Sequence, residues 1–305
     1  MPRLEARVGS LTLENPVMNA SGIMGSSVDE MLEVIRAGAA AVVTKSFTRE
    51  PREGNPTPVI VPVACGYVNS VGLRNPGAEE MKRIVAEVAA KAGKPVVVSI
   101  AAADPREAEE LTAAAVEAGA AALELNLSCP HAKGRGLELA WDDEASRRVV
   151  EAAVAAARGK PVWVKVGYVD RLVDRVARLV EAGASAIVAI NTLRAMKIDV
   201  YAVRPVLGGI VGGLSGRAIH PVAVRAVYEI HCEHPDIPLV GVGGVYTWLD
   251  AAELILAGAS AIQIGTALFD QGLDVIREVL EGLEAYLERM GWGSLGDAVG
   301  AACKR

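Results

Sequence analysis

The sequence predicts an α/β fold, a (β/α)8 TIM barrel built as one domain over residues 1–305, with an N-terminal β-hairpin and long loops over the C-terminal mouth. Three observations predict it. One unit recurs four times: a helical stretch ends at a glycine and a short apolar run follows. Four further apolar runs open on a step into proline. Together they make eight strand candidates, mostly separated by helical stretches, which in a chain of this length suits a closed barrel better than an open doubly wound sheet.

In chain order, residues 4–13 alternate apolar and polar around Gly9-Ser10, the pattern of a short hairpin. Asn15-Pro16 opens the run Val17-Met18-Asn19-Ala20, and Ala37-Gly38-Ala39-Ala40-Ala41 precedes Val42-Val43. Lys94-Pro95 opens Val96 to Ile100, and Ala118-Gly119-Ala120-Ala121-Ala122 precedes Leu123-Glu124-Leu125. Lys160-Pro161 opens Val162 to Val166, and Ala182-Gly183-Ala184-Ser185-Ala186 precedes Ile187-Val188. Ile237-Pro238 opens Leu239 to Val242, and Ala257-Gly258-Ala259-Ser260-Ala261 precedes Ile262-Gln263-Ile264. Upstream of each glycine the apolar residues keep helical spacing, as in Val173-Val176-Leu179-Val180, so the glycine stands where a helix takes a left-handed cap. Short apolar runs without alternation suit parallel strands covered on both faces. Two connections are too long for simple turns. Residues 46–78 carry Pro51, Pro56, Pro58 and Pro62, and residues 192–221 carry Gly208-Gly209 and Gly212-Gly213. Loops of that length are usually functional, and in a barrel both would stand over the mouth.

Composition narrows the function. Hydrophobic residues make up 51% and aromatics only 4%, so the core is mostly Ala, Val, Leu and Ile, which argues against disorder. A net charge of −6 argues against a nucleic-acid binder. No two of Cys65, Cys129, Cys232 and Cys303 are close enough in sequence to form a zinc or iron–sulfur ligand pair. No disulfide is expected in a chain this long without a secretion signal. The N-terminus lacks a signal-like apolar region and no window of about 18 apolar residues occurs. A reducing cytoplasm, with no membrane contact, is the expected setting.

Barrel active sites are built at the C-terminal ends of the strands. Those ends read Ala20-Ser21, Lys45-Ser46, Ser99, Asn126, Lys165, Asn191-Thr192, Gly243-Gly244 and Gly265-Thr266. A lysine ending a buried strand must meet something that compensates its charge. With no acidic residue among these ends, an anionic ligand is expected to do so for both Lys45 and Lys165. Gly-Gly and Gly-Thr after the last two strands fit the usual phosphate position of barrels, with Gly213-Leu214-Ser215-Gly216 as further close-approaching backbone. Asn126, Asn191 and the loop residue Asn69 offer donors and acceptors suited to a planar amide- or imide-containing ring, a flavin or a pyrimidine. Cys129 follows Asn126 in a turn set by Pro130. Taken alone it is either a small buried hydrophobe or a catalytic thiol.

These residues resemble class 1 dihydroorotate dehydrogenase, an FMN-dependent TIM-barrel family of pyrimidine synthesis. The resemblance runs through Asn19 to Gly22, Thr44 to Ser46, Asn69 to Gly77, Glu124 to Pro130, Val164-Lys165, Asn191 to Leu193, Gly212 to Gly216, Gly243-Gly244 and Gly265-Thr266. It implies that Cys129 is the base taking a proton from C5 of dihydroorotate while hydride passes from C6 to flavin N5. Lys45 would lie between flavin and substrate, and Lys165 would face the flavin's pyrimidine edge. Lys45, Asn69, Ser70, Val71, Gly72, Leu73, Asn126, Asn191 and Thr192 would hold the substrate. Ala20, Ser21, Lys45, Ser46, Ser99, Asn126, Lys165, Ile190, Gly216, Gly243, Gly244, Gly265 and Thr266 would hold one FMN. Many class 1 members carry asparagine where this chain has His131, so His131 is left outside the binding set.

Within class 1, Ile190 to Asp199 and Gly213 to Pro221 resemble the 1B type. That type implies a heterotetramer of two catalytic and two electron-transfer subunits, the latter carrying FAD and a 2Fe–2S cluster and passing electrons to NAD. A homodimer reducing fumarate is the alternative, and a phosphate-binding barrel isomerase or synthase without flavin is the more distant one.

Overall fold

In a computed structural model describing residues 2–127 and 142–303, eight strands form one all-parallel sheet. They are β1 Val17–Asn19, β2 Val42–Val43, β3 Val96–Ile100, β4 Ala122–Asn126, β5 Val162–Val166, β6 Ala186–Ala189, β7 Leu239–Val242 and β8 Ala261–Ile264. Each coincides with one of the apolar runs read from the sequence. The pairing order is β1-β8-β7-β6-β5-β4-β3-β2, and a parallel bridge between Met18 and Ala41 returns from β2 to β1. Eight parallel strands closing on their first member make a (β/α)8 barrel.

The seam between β1 and β2 is the shortest pairing, and a side chain completes it. Asn19 is fully buried. Its Oδ1 accepts from Val43 N (2.8 Å), and its Nδ2 donates to the carbonyls of Val43 (2.8 Å) and Ile23 (2.8 Å). One amide thus serves as a rung between two strands too short to complete their own ladder.

The helices after the eight strands are α1 Val28–Arg36, α2 Ala78–Ala92, α3 Pro105–Glu117, α4 Asp143–Ala156, α5 Leu172–Glu181, α6 His220–Glu233, α7 Trp248–Ala257 and α8 Asp274–Met290. Their starts are signalled by side chains: Ser27, Asp104, Asp142 and Thr247 each accept a bond from the first turn. Their buried stripes and the strand side chains form one continuous core, with Trp163 and Phe47 among its largest members. The N-terminal hairpin pairs Ala6–Val8 with Leu11–Leu13.

The two long connections fold together. Ile60–Val63, Gly66–Asn69, Gly212–Ser215 and Leu193–Ala195 form a four-stranded antiparallel sheet, in which Asn69 pairs with Gly213. Val61, Val68 and Leu207 make a small core beneath it, separate from that of the barrel. The sheet therefore stands as a roof over the strand ends. Glycine is required there: a Cβ on Gly213 would overlap Thr192 Oγ1.

One expectation is corrected. Cys232, near the end of α6, and Cys303, in the C-terminal turn, form a disulfide, and Cys65 is free and exposed. A pair separated by 71 residues leaves no local spacing signal in the sequence. Among the described residues, no helix is long and apolar enough to cross a membrane.

Candidate active site

A cleft opens at the C-terminal mouth between the strand ends and the roof. It is lined by Ala20, Ser21, Lys45, Ser46, Asn69, Val71, Gly72, Leu73, Asn126, Lys165, Ile190, Asn191, Thr192, Gly216, Gly243, Gly244, Gly265 and Thr266. Two other expected residues stand behind this lining. Ser99 is fully buried, with its Oγ 2.8 Å from that of Ser46, and Ser70 is fully buried, with its Oγ accepting from Asn55 Nδ2 (2.9 Å). Cys129 and His131 lie outside the described residues.

A chain of polar contacts fixes the floor. Thr192 N donates to Asn191 Oδ1 (2.8 Å), which turns Asn191 Nδ2 toward Asn126 Oδ1 (3.5 Å). Asn126 Nδ2 in turn donates to Ser46 Oγ (3.1 Å), which lies against Ser99 Oγ and, at 3.3 Å, Ser21 Oγ. Because a backbone N–H starts the chain, the amide orientations follow from it rather than from choice. Asn69 is set from the roof, its Nδ2 donating to the Gly213 carbonyl (3.1 Å).

The two lysines differ. Lys45 has its pKa lowered, first by burial and then by the positive charge of Arg74, with Glu30 acting in the opposite sense. Lys165 was expected to need an anionic ligand for want of an acidic partner, and it has such a partner inside the barrel. Its Nζ lies 3.6 Å from Glu124 Oε1 and donates to Gln263 Oε1 (3.2 Å). Glu124 and Gln263 were hidden in runs that read as apolar strands. Their signal was a charged and an amide residue in the middle of strands expected to be covered on both sides.

At the other end of the cleft, backbone predominates. Gly244 has φ +67°, and a Cβ there would come within 2.9 Å of the Gly216 carbonyl oxygen and 2.7 Å of His220 Cβ. His220 Nδ1 lies 2.8 Å from the Gly243 carbonyl and its Nε2 3.1 Å from Glu253 Oε2, tying this turn to α6 and α7. The start of α6 continues directly from a 3-10 turn over Arg217–Ile219: His220 N–H donates to the Arg217 carbonyl, and Pro221 has no N–H to offer. Two aromatic residues at the rim went unnoticed in the sequence. Tyr67 and Phe269 line the cleft and pack edge to face, with ring centroids 5.5 Å apart. Tyr67 and Tyr246 both donate to the Asp270 carboxylate (2.7 and 2.6 Å), and both phenols have raised pKa values, through that hydrogen bond for Tyr67 and chiefly through burial for Tyr246.

Fold and cleft together define the class: a (β/α)8-barrel enzyme with its site at the C-terminal mouth. A family model described as dihydroorotate dehydrogenase matches residues 3–287. The chain is 48% identical over 301 residues to the "Putative dihydroorotate dehydrogenase A (fumarate)" of Aeropyrum pernix, covering 99% of this chain and 98% of that one. It is 44% identical over 299 residues to the "Dihydroorotate dehydrogenase B (NAD(+)), catalytic subunit" of Pyrococcus furiosus, covering 96% and 97%. It is also 43% identical over 307 residues to the protein of that same name from Thermoplasma acidophilum, covering 100% of both chains. The chain belongs to the dihydroorotate dehydrogenase family and is an oxidoreductase.

Proposed function

We propose that this chain oxidises dihydroorotate to orotate with one bound FMN, in pyrimidine synthesis in the cytoplasm. The observation that carries the proposal is the cleft itself: two lysines, three asparagines and a glycine-built turn, drawn from separate strands and loops, meet in one place.

The residues present fit FMN. Gly216, Gly243-Gly244 and Gly265-Thr266 line one end of the cleft, and at Gly216, Gly243 and Gly244 a Cβ would overlap neighbouring atoms, so close-approaching backbone suited to a phosphate is kept there. Lys165 and the polar floor of Ser21, Ser46, Ser99 and Asn126 suit the polar edge of the ring, with Ala20 and Ile190 as apolar walls. Bound there, FMN supplies the acceptor for the hydride removed from substrate.

The chain's own residues do the rest. Asn69, Asn126, Asn191 and Thr192 hold and orient the substrate, together with the backbone of Val71, Gly72 and Leu73, while Ser70 supports that loop from behind. Lys45, half-buried at the cleft, offsets the substrate's negative charge in a setting where water screens it poorly. Cys129 takes the C5 proton as general base. The roof of the two long loops limits solvent over the reacting atoms.

For the acceptor we propose a 1B arrangement, in which a partner subunit with FAD and a 2Fe–2S cluster relays electrons to NAD within a heterotetramer. The "catalytic subunit" names of several relatives support it. The fumarate-linked name of the Aeropyrum pernix relative supports a second reading, a homodimer reducing fumarate. Purification of the native protein decides between them. A yellow complex with an iron–sulfur flavoprotein and NAD-dependent orotate formation is expected. A lone dimer reducing fumarate would reverse the acceptor assignment, and a colourless protein inert toward dihydroorotate would overturn the function.

A further inference from the structure

Lys165 reaches the cleft from within the barrel, and beneath it stand two fully buried polar side chains, Glu124 on β4 and Gln263 on β8. Gln263 Nε2 donates to Glu124 Oε2 (2.6 Å), and Lys165 Nζ donates to Gln263 Oε1 (3.2 Å). The ring closes where Lys165 Nζ approaches Glu124 Oε1 (3.6 Å), an oxygen with no hydrogen bond among the described residues. An ionised carboxylate only accepts and an ammonium only donates. The ring therefore suits both groups charged, with the amide bridging them by two hydrogen bonds and the ion pair closing it. One ammonium proton serves the hydrogen bond to Gln263, and the rest of the group lies between the Glu124 carboxylate and the cleft.

We propose that Glu124 is a positioning residue: it keeps Lys165 as an ammonium aimed at the cleft, and through Lys165 it favours the reduced, anionic form of the bound cofactor. This inference rests on FMN occupying the cleft. Its physical content lies in what an isosteric amide would do at position 124. With Gln there, either amide orientation sets an N–H against Lys165 Nζ, directly or through a flipped Gln263. Both arrangements are satisfied only when that nitrogen is neutral and accepts. Glu124→Gln thus removes the positive charge of Lys165 from the cleft while leaving the lysine itself in place.

The test is the midpoint potential of FMN in the loaded protein, measured by spectroelectrochemistry. In Glu124→Gln the potential is expected to fall by at least about 30 mV, which for a two-electron couple is tenfold in the preference for reduced over oxidised flavin. Lys165→Met should fall similarly, and the double variant should match Lys165→Met. A potential in Glu124→Gln at or above wild type would overturn the proposal, since Glu124 would then merely offset a lysine that stays charged. A fall that adds in full to that of Lys165→Met would also overturn it. Should Glu124→Gln not fold, Glu124→Met decides the matter: a potential below wild type supports the proposal and one at or above it refutes it. A chain that takes up no FMN refutes the proposed function and this inference with it, whereas a wild-type potential in Glu124→Gln refutes this inference alone.

Discussion

Lys45 and Lys165 look alike in the sequence, each closing an apolar strand, yet the structure sets them in different surroundings. Lys165 has its counter-charge inside the barrel, whereas Lys45 is half-buried, with its pKa lowered by desolvation and by Arg74. Lys45 accordingly loses its proton at lower pH than an ordinary lysine, and anion binding should weaken as pH rises through that lowered value. Arg74→Gln removes one of the lowering causes and should move this loss to higher pH. Orotate titrations from roughly pH 7 to 11 in a Cys129→Ala background, where the thiol cannot titrate, check the direction. Gly244 gives a second prediction at this scale. Its left-handed backbone costs a side chain about 1–2 kcal/mol before any overlap with Gly216 or His220 is counted. Gly244→Ala should lower FMN affinity about tenfold or more while circular dichroism stays that of the folded barrel. The polar strand ends could be read from the sequence because they interrupt apolar runs. Glu124 was passed over because it lies within such a run, two residues before Asn126 and on the same face of the strand.

At the scale of elements, the strands were legible because each carries a local mark, a glycine-ended helix or a step into proline. The roof was not. Its rungs join residues far apart, Asn69 with Gly213 and Tyr67 with Ser215, and no local pattern announces such a pairing. The sequence showed only that both loops were too long to be idle. Leu207 belongs to the small core under the roof and not to that of the barrel. Leu207→Ala should therefore raise hydrogen exchange in residues 60–69 and 193–215 and raise the KM for dihydroorotate, while the barrel strands keep their protection. The β1–β2 seam behaves differently. Asn19→Ala removes three hydrogen bonds and leaves Val43 N–H and C=O unpaired in the core, at a cost of about 3–5 kcal/mol. A lowered denaturant midpoint should report it, because the seam belongs to the main cooperative unit.

For the molecule as a whole, the barrel core, its parallel sheet and the cleft above them organise the described residues, and the disulfide adds a tie between α6 and the C-terminal turn. Closing a loop of 71 residues stabilises by about 4 kcal/mol through loss of unfolded-chain entropy. Cys303→Ser should lower Tm by about 6 °C in a chain of this size. Dihydroorotate oxidation near room temperature should hardly change, because the bond lies away from the mouth. In the proposed mechanism the base is Cys129, and a single-turnover experiment tests that role most directly. FMN-loaded wild type and Cys129→Ala are mixed anaerobically with dihydroorotate, while flavin absorbance and orotate are followed through a single turnover. The prediction is rapid bleaching with stoichiometric orotate in wild type, and an equally yellow variant that bleaches at least about a hundredfold more slowly. A variant that bleaches as fast as wild type would contradict the account.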